Sequence, residues 1–157
     1  RVVGVESTPG QALDGPAGST IELDLSYAWT QARFRSDFVS EFPQFGRVQS
    51  GDTLPYVPTH QGGASIALVH DRGTFSVKTS GRSRMRNEAG SADVAQAQQI
   101  PAHTQTDVGA QLLLSKRWTA TLSLTNVFGS RTVESWRPFG ARPTAPFQAM
   151  AGLQAEL

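Results

Sequence analysis

The sequence predicts an all-β protein: an antiparallel meander forming part of a transmembrane β-barrel, with about five full strands and part of a sixth. Three observations carry this. Apolar and polar residues alternate strictly over stretches of eight to thirteen residues. The connections switch between tight turns and long loops in step with strand direction. The polar faces carry Ser, Thr, Gln and Gly, and the apolar faces many Ala and Leu rather than the bulky side chains of a sandwich core. In Trp118–Phe128 every second residue reads Trp, Ala, Leu, Leu, Asn, Phe, against Thr, Thr, Ser, Thr, Val. That is a strand with two unlike faces.

The same alternation recurs along the chain. Ile21, Leu23, Leu25, Tyr27 and Trp29 oppose Glu22, Asp24, Ser26, Ala28 and Thr30. Ala64, Ile66 and Leu68 oppose Ser65, Ala67 and Val69. Phe75, Val77 and Met85 oppose Ser76, Lys78, Arg82, Arg84 and Arg86. Val108, Ala110, Leu112 and Leu114 form another apolar row, and Phe147, Ala149, Ala151, Leu153, Ala155 and Leu157 the last. The expected strands are therefore 19–36, 58–70, 74–86, 103–114, 118–131 and 146–157. Residues 70–73 and 115–117 read as tight turns. The stretches 37–57, 87–101 and 132–145, rich in Gly, Pro, Gln and charge, read as long loops. Residues 7–18 read as a Gly/Pro link, and 91–100 as loop rather than helix. Ten residues at a rise of about 3.3 Å, tilted near 40°, span roughly 25 Å of membrane normal. Long loops at one end and short turns at the other is the asymmetry of an outer-membrane barrel.

Composition narrows the function. The 157 residues carry a formal net charge of +1, so no bulk attraction to nucleic acid is expected. There are no cysteines, which excludes disulfides, thiolate metal sites and cysteine nucleophiles. No run approaches the roughly 18 apolar residues of a membrane helix. No signal peptide is visible and the chain begins at Arg1, which reads as a piece of a longer chain cut at its N-terminal side. His60, His70 and His103 have no companions at metal-ligand spacing. Glu22 and Asp24 are neighbours on one strand face but lack a nucleophile. No catalytic residue, metal ligand or cofactor is expected, and no enzyme.

Several segments resemble the C-terminal barrel of TonB-dependent outer-membrane receptors. "GDTLPYVPTHQ" (51–61) looks like a loop entering a descending strand. "LSLTNVFGSR" (122–131) is similar to the penultimate strand, with Val127 and Gly129 where that family usually has Leu and Asp. "RPFGARPTAPFQAMAGLQAEL" (137–157) looks like the last loop and closing strand, ending in Leu157 where the family usually ends in Phe. "MRNEAG" (85–90) and the 137–143 stretch lean toward the ferric-citrate branch. The resemblance implies that residues 1–157 are the C-terminal portion of such a barrel, the plug and the remaining strands being absent. It implies the outer membrane as location, its lipid as one partner, a ferric chelate (citrate or siderophore) as ligand, and TonB reached through the missing plug. With a periplasmic C-terminus, all three long loops fall outside the cell. Lys78, Arg82, Arg84 and Arg86 then share a lumen-facing row, since arginine or lysine facing mid-bilayer lipid costs about 2–4 kcal/mol. The ligand-facing candidates are Arg82, Arg84, Arg86, Arg131, Arg137 and Arg142, set against simple pairing with acids or water. The alternatives are a passive porin-like or structural barrel, and a soluble carbohydrate-binding β-sandwich.

Overall fold

A computed structural model describes residues 1–94, 99–137 and 139–156. The elements in chain order are β1 (Val2–Ser7), β2 (Gly10–Asp14), a single 3-10 turn (Pro16–Gly18), β3 (Thr20–Ala32), β4 (Phe38–Val39), β5 (Arg47–Val48), β6 (His60–His70), β7 (Gly73–Arg82), β8 (Met85–Arg86), β9 (Gln99–Ile100), β10 (His103–Ser115), β11 (Trp118–Thr125), β12 (Val133–Ser135), β13 (Arg142–Pro143) and β14 (Gln148–Ala155). One antiparallel sheet runs β1-β3-β6-β7-β10-β11-β14, with β2 also on β3. Every long strand pairs with its sequence neighbour, which is the expected meander.

The N-terminal edge corrects the reading of residues 7–18 as a link. Ser7 lies opposite Tyr27, and Gly10 opposite Asp24. Two residues, Thr8 and Pro9, therefore face two, Ser26 and Leu25, so β1 and β2 are one strand interrupted without a bulge. The break is chemical. Leu25 N donates to the Pro9 carbonyl at 3.1 Å, but Pro9 has no N–H to return the bond. The true connection is the short turn at residues 15–19, closed by Gly15 N to the Ser19 carbonyl at 2.8 Å. All three connections at this end are now tight.

Strand ends also fall short of expectation at the loop end. The expected strand 118–131 stops at Thr125, and Phe128 is 80% exposed in the loop rather than closing the strand. The expected strand 74–86 leaves the sheet after Arg82, and 19–36 after Ala32. In each case the chain enters loop structure with its own small hairpin: β4–β5, β8–β9 and β12–β13. Leu157, Pro138 and residues 95–98 of the expected loop lie outside the described residues.

Register makes the two faces explicit. Leu13, Ile21, Leu68, Phe75, Ala110, Leu122 and Ala151 form one row across the sheet; Leu23, Ile66, Val77, Val108, Leu124 and Ala149 form the next. The face stays open: Leu25 is 55% exposed, Ile66 48%, Phe75 49% and Leu153 62%. Level with Leu25 and Ala64, Thr79 and Thr106 satisfy each other, Oγ1 to Oγ1 at 3.0 Å, as polar groups on an apolar surface must. The opposite face carries Glu22, Ala67, Ser76, Gly109 and Ser123 in one row and Asp24, Ser65, Lys78 and Asp107 in another.

The buried apolar side chains are not in the sheet interior at all. Ala32, Val48 and Ile100 are the buried hydrophobics among the described residues, and all three sit at the loop end. There the three long loops interlock. Thr53 N donates to the Gly90 carbonyl (3.0 Å), Tyr56 N to Arg86 (2.9 Å) and Ala89 N to Gln44 (2.9 Å), joining the first loop to the second. Phe34 packs edge-on against Phe38 and Phe45. Trp136 Nε1 reaches the Gln99 carbonyl at 3.5 Å, and Arg137 pairs with Glu88, joining the second loop to the third.

Candidate ligand-facing surface

The polar face and the loop cluster above it hold the arginines expected to face a ligand. Lys78 projects from mid-β7, exposed, with Ser65 and Asp107 opposite it in register. Asp107 is already engaged: its carboxylate accepts from Gln105 Nε2 at 2.9 Å and from Asn126 N at 2.9 Å. Two rows closer to the loops, past Ser26, Gly63, Ser80 and Gln105, Glu6, Ala28, Gln61, Arg82 and His103 form a row. A pocket of about 380 Å³ opens on that row, floored by small residues such as Gly62, Ser80 and Gly81, with Glu6 at one side and Arg82 and His103 at the other.

The expected basic row does not continue along one strand. Arg82 ends β7; its Nη1 donates to the Pro101 carbonyl at 3.0 Å, and its Nη2 is buried without a partner. Ser83 N still donates to the His60 carbonyl (2.8 Å), and then the chain leaves the sheet. Arg84 is exposed in that gap. Arg86 lies in β8, paired with β9 rather than with the main sheet, and its guanidinium is occupied: Nε donates to the Glu88 carbonyl at 3.2 Å and Nη1 to Ala92 at 2.6 Å. Shared parity held only as long as the strand did. Among the loop residues, Arg131 and Arg142 are exposed, whereas Arg137 is ion-paired to Glu88 and borders a pocket of about 400 Å³ with Phe42, Pro43, Gln44 and Tyr56. The structure thus groups Arg82, Arg84 and Arg86 at the sheet–loop junction, places Arg137 in the interlocked loops, and leaves Arg131 and Arg142 on the outside.

The histidines have local partners. Tyr27 Oη and His60 Nδ1 are 2.7 Å apart, and Arg72 N donates to His70 Nδ1 at 3.1 Å. His103 approaches Ser130 Oγ at 3.4 Å, with Nε2 buried and unpartnered. No group of three metal-ligating side chains forms among the described residues.

Asn126 is the residue that sequence reasoning left without a role. It is fully buried at φ 53°, a left-handed conformation that asparagine tolerates better than most residues. Its Nδ2 donates to the carbonyls of Ser130 and Ala145, both at 2.8 Å, and its Oδ1 accepts from Ser130 N at 2.9 Å. It closes the base of the last loop. The available signal was an asparagine where apolar alternation ends, three residues before a glycine.

A solved structure shares this arrangement. The chain is similar in fold to the ferric-catecholate import receptor Fiu from Escherichia coli K12, in its closed form. The TM-score is 0.58 at 10% sequence identity, over 98% of this chain and 27% of the receptor. The chain therefore spans about a quarter of that receptor's length. No family model matches the sequence, and no curated protein matches it. The likeness lies in the fold, an antiparallel meander with its long loops at one end.

Proposed function

We propose that this chain is a section of the wall and outer loops of a TonB-dependent outer-membrane receptor that imports an anionic ferric chelate. One observation carries the reading. The apolar face is open across the whole sheet, while buried apolar side chains are confined to the interlocked loops. A single sheet with one open apolar face suits lipid on that face and a polar lumen on the other. A sandwich would need a second sheet over Leu25, Ile66 and Phe75, and among the described residues none covers them. A passive porin-like barrel would use the same wall; a plug encoded upstream of Arg1 separates the two.

In this reading the protein binds and admits its ligand, and the energy comes from TonB through the plug. The loop end lies outside the cell. Arg82 and Arg84 stand where the wall meets the loops, and guanidinium groups pair with the oxygens of a chelate in bidentate fashion. Arg86 contributes by holding the loop. Ferric citrate is the finer reading of residues 85–90 and 137–143. The fold likeness to a catecholate receptor, at 10% identity, lends it no support, so the ligand class proposed is an anionic ferric chelate, citrate or siderophore.

The test is ligand affinity in the full-length receptor. A lost hydrogen bond to a charged group is worth on the order of 1.5–3 kcal/mol. Arg84→Ala is therefore expected to weaken ferric-chelate binding roughly tenfold or more with assembly intact. Normal assembly together with parental affinity for both ferric citrate and a ferric catecholate would remove Arg84 from the ligand path.

A further inference from the structure

At the tight-turn end, β10 outruns its neighbour. β7 begins at Gly73, paired with Leu112, so Leu113, Leu114 and Ser115 extend beyond it. The β6–β7 turn is held against this overhang by Leu113 N, which donates to the Arg72 carbonyl at 2.8 Å. The result is a notch of about 360 Å³ in the lower rim of the apolar face, with Leu68, Phe75 and Leu112 lining it and His70 and Arg72 at its edge. Leu114 (57% exposed) and Trp118 (46%) carry the apolar surface further down, past the level of Arg72. Lys116 and Arg117 form the next turn, exposed, beyond Leu114 and Ser115.

We propose that this notch holds one anionic phospholipid, its acyl chain along Leu68, Phe75 and Leu112 and its phosphate between Arg72 and Lys116. The proposal rests on the membrane reading above, under which this end meets the inner leaflet. Charge complementarity selects the occupant. Arg72 lies level with Leu113, above the exposed Leu114, and its side chain is long enough to reach the headgroup layer from there, as long basic side chains do. His70 adds a donor: its Nδ1 accepts from Arg72 N, so the neutral ring carries its proton on Nε2. The acids at this end are Asp71 beside Arg72, Asp14 on β2, and Glu156, whose N donates to the Arg117 carbonyl at 2.9 Å. Among the described residues none of them forms an ion pair with Arg72, Lys116 or Arg117, the one ion pair being Arg137–Glu88. Glu156 lies by Arg117, which leaves Arg72 and Lys116 as the phosphate partners. A phosphodiester between them gains charge-assisted bonds that a zwitterionic lipid offsets with its own cation.

The experiment uses the full-length protein in nanodiscs of phosphatidylcholine doped with phosphatidylglycerol, followed by native mass spectrometry of the lipids retained. Phosphatidylglycerol is expected to be retained over phosphatidylcholine. Each cation removed, in Arg72→Gln or Lys116→Gln, should cut that preference roughly fivefold. Arg72→Lys should keep most of it, and inorganic phosphate should not displace the lipid, because it lacks the acyl chain. Equal retention of the two lipids, a preference unchanged in the double Gln variant, or displacement by inorganic phosphate would each overturn the site. Spin labels at 122 and 124 in the same nanodiscs separate the two ideas. Lipid-exposed labels without a lipid preference end this inference alone, and water-exposed labels end the membrane reading with it.

Discussion

Two residues show how much a single backbone conformation can decide. Asn126 is buried, left-handed and bonded to both sides of the last loop's base. Replacing it with Ala leaves Ser130 N and the Ala145 carbonyl without that partner. At roughly 1 kcal/mol per net hydrogen bond plus the conformational strain, the loss should be on the order of 3 kcal/mol. Denaturant titration in detergent would read it, and limited proteolysis should show new cleavage within residues 127–145. A variant that keeps the parent's midpoint and cleavage pattern would mean the loop closes without this side chain. Gly73 is constrained differently. It has φ 155°, and a Cβ there would lie 2.1 Å from the Gln111 carbonyl oxygen. Gly73→Ala should therefore lower folded yield sharply, by about 2 kcal/mol or more. Gly129→Ala, at φ 61° with nothing within 4 Å, should cost only about 1 kcal/mol. Equal yields for the two would show that the turn can move away from β10.

At the scale of the element, β11 is the clearest test of facing. Leu122 lies in register with Ala110 and Ala151, and Ser123 with Gly109 and Met150. Spin labels at 122 and 124 should be relaxed by oxygen, and those at 121 and 123 by a water-soluble reagent; the opposite pattern would reverse the sheet. The energetic counterpart is a pair of substitutions. Leu122→Arg should cost about 2–4 kcal/mol in the bilayer, while Ser123→Arg, facing the lumen, should cost far less. The edge element makes a related point. Pro9 looked like a link residue because proline removes a ladder donor, yet at the sheet's edge only one bond is lost and pairing resumes at Gly10 in the same register.

For the whole molecule, the expectation concerns solubility. Among the described residues the sheet has two free edges, β1–β2 and β14, and an open apolar face. Open edges and large apolar patches drive association in water. Residues 1–157 expressed alone should need detergent or denaturant to remain dispersed, as read by size-exclusion chromatography. A soluble monomer that melts cooperatively without detergent would sink the membrane reading.

The alternation in residues such as Ile21–Trp29 and Trp118–Leu124 determined by itself that this is a two-faced antiparallel meander, because a period of two assigns each side chain to a face before any partner is known. Loop and turn lengths likewise determined which end carries the loops. What the sequence could not settle was where alternation stops being strand. Arg82, Arg84 and Arg86 keep one parity in the sequence, but parity has meaning only while a neighbouring strand supplies hydrogen bonds, and those end at Ser83. Beyond it, the guanidinium of Arg86 turns to the carbonyls of its own loop and Arg137 crosses to Glu88. The Arg137–Glu88 pairing joins residues 49 positions apart and leaves no periodic trace. The same holds for Asn126 and Ala145, and for the notch beside Arg72: each depends on how far one strand outruns another, which only the folded sheet decides.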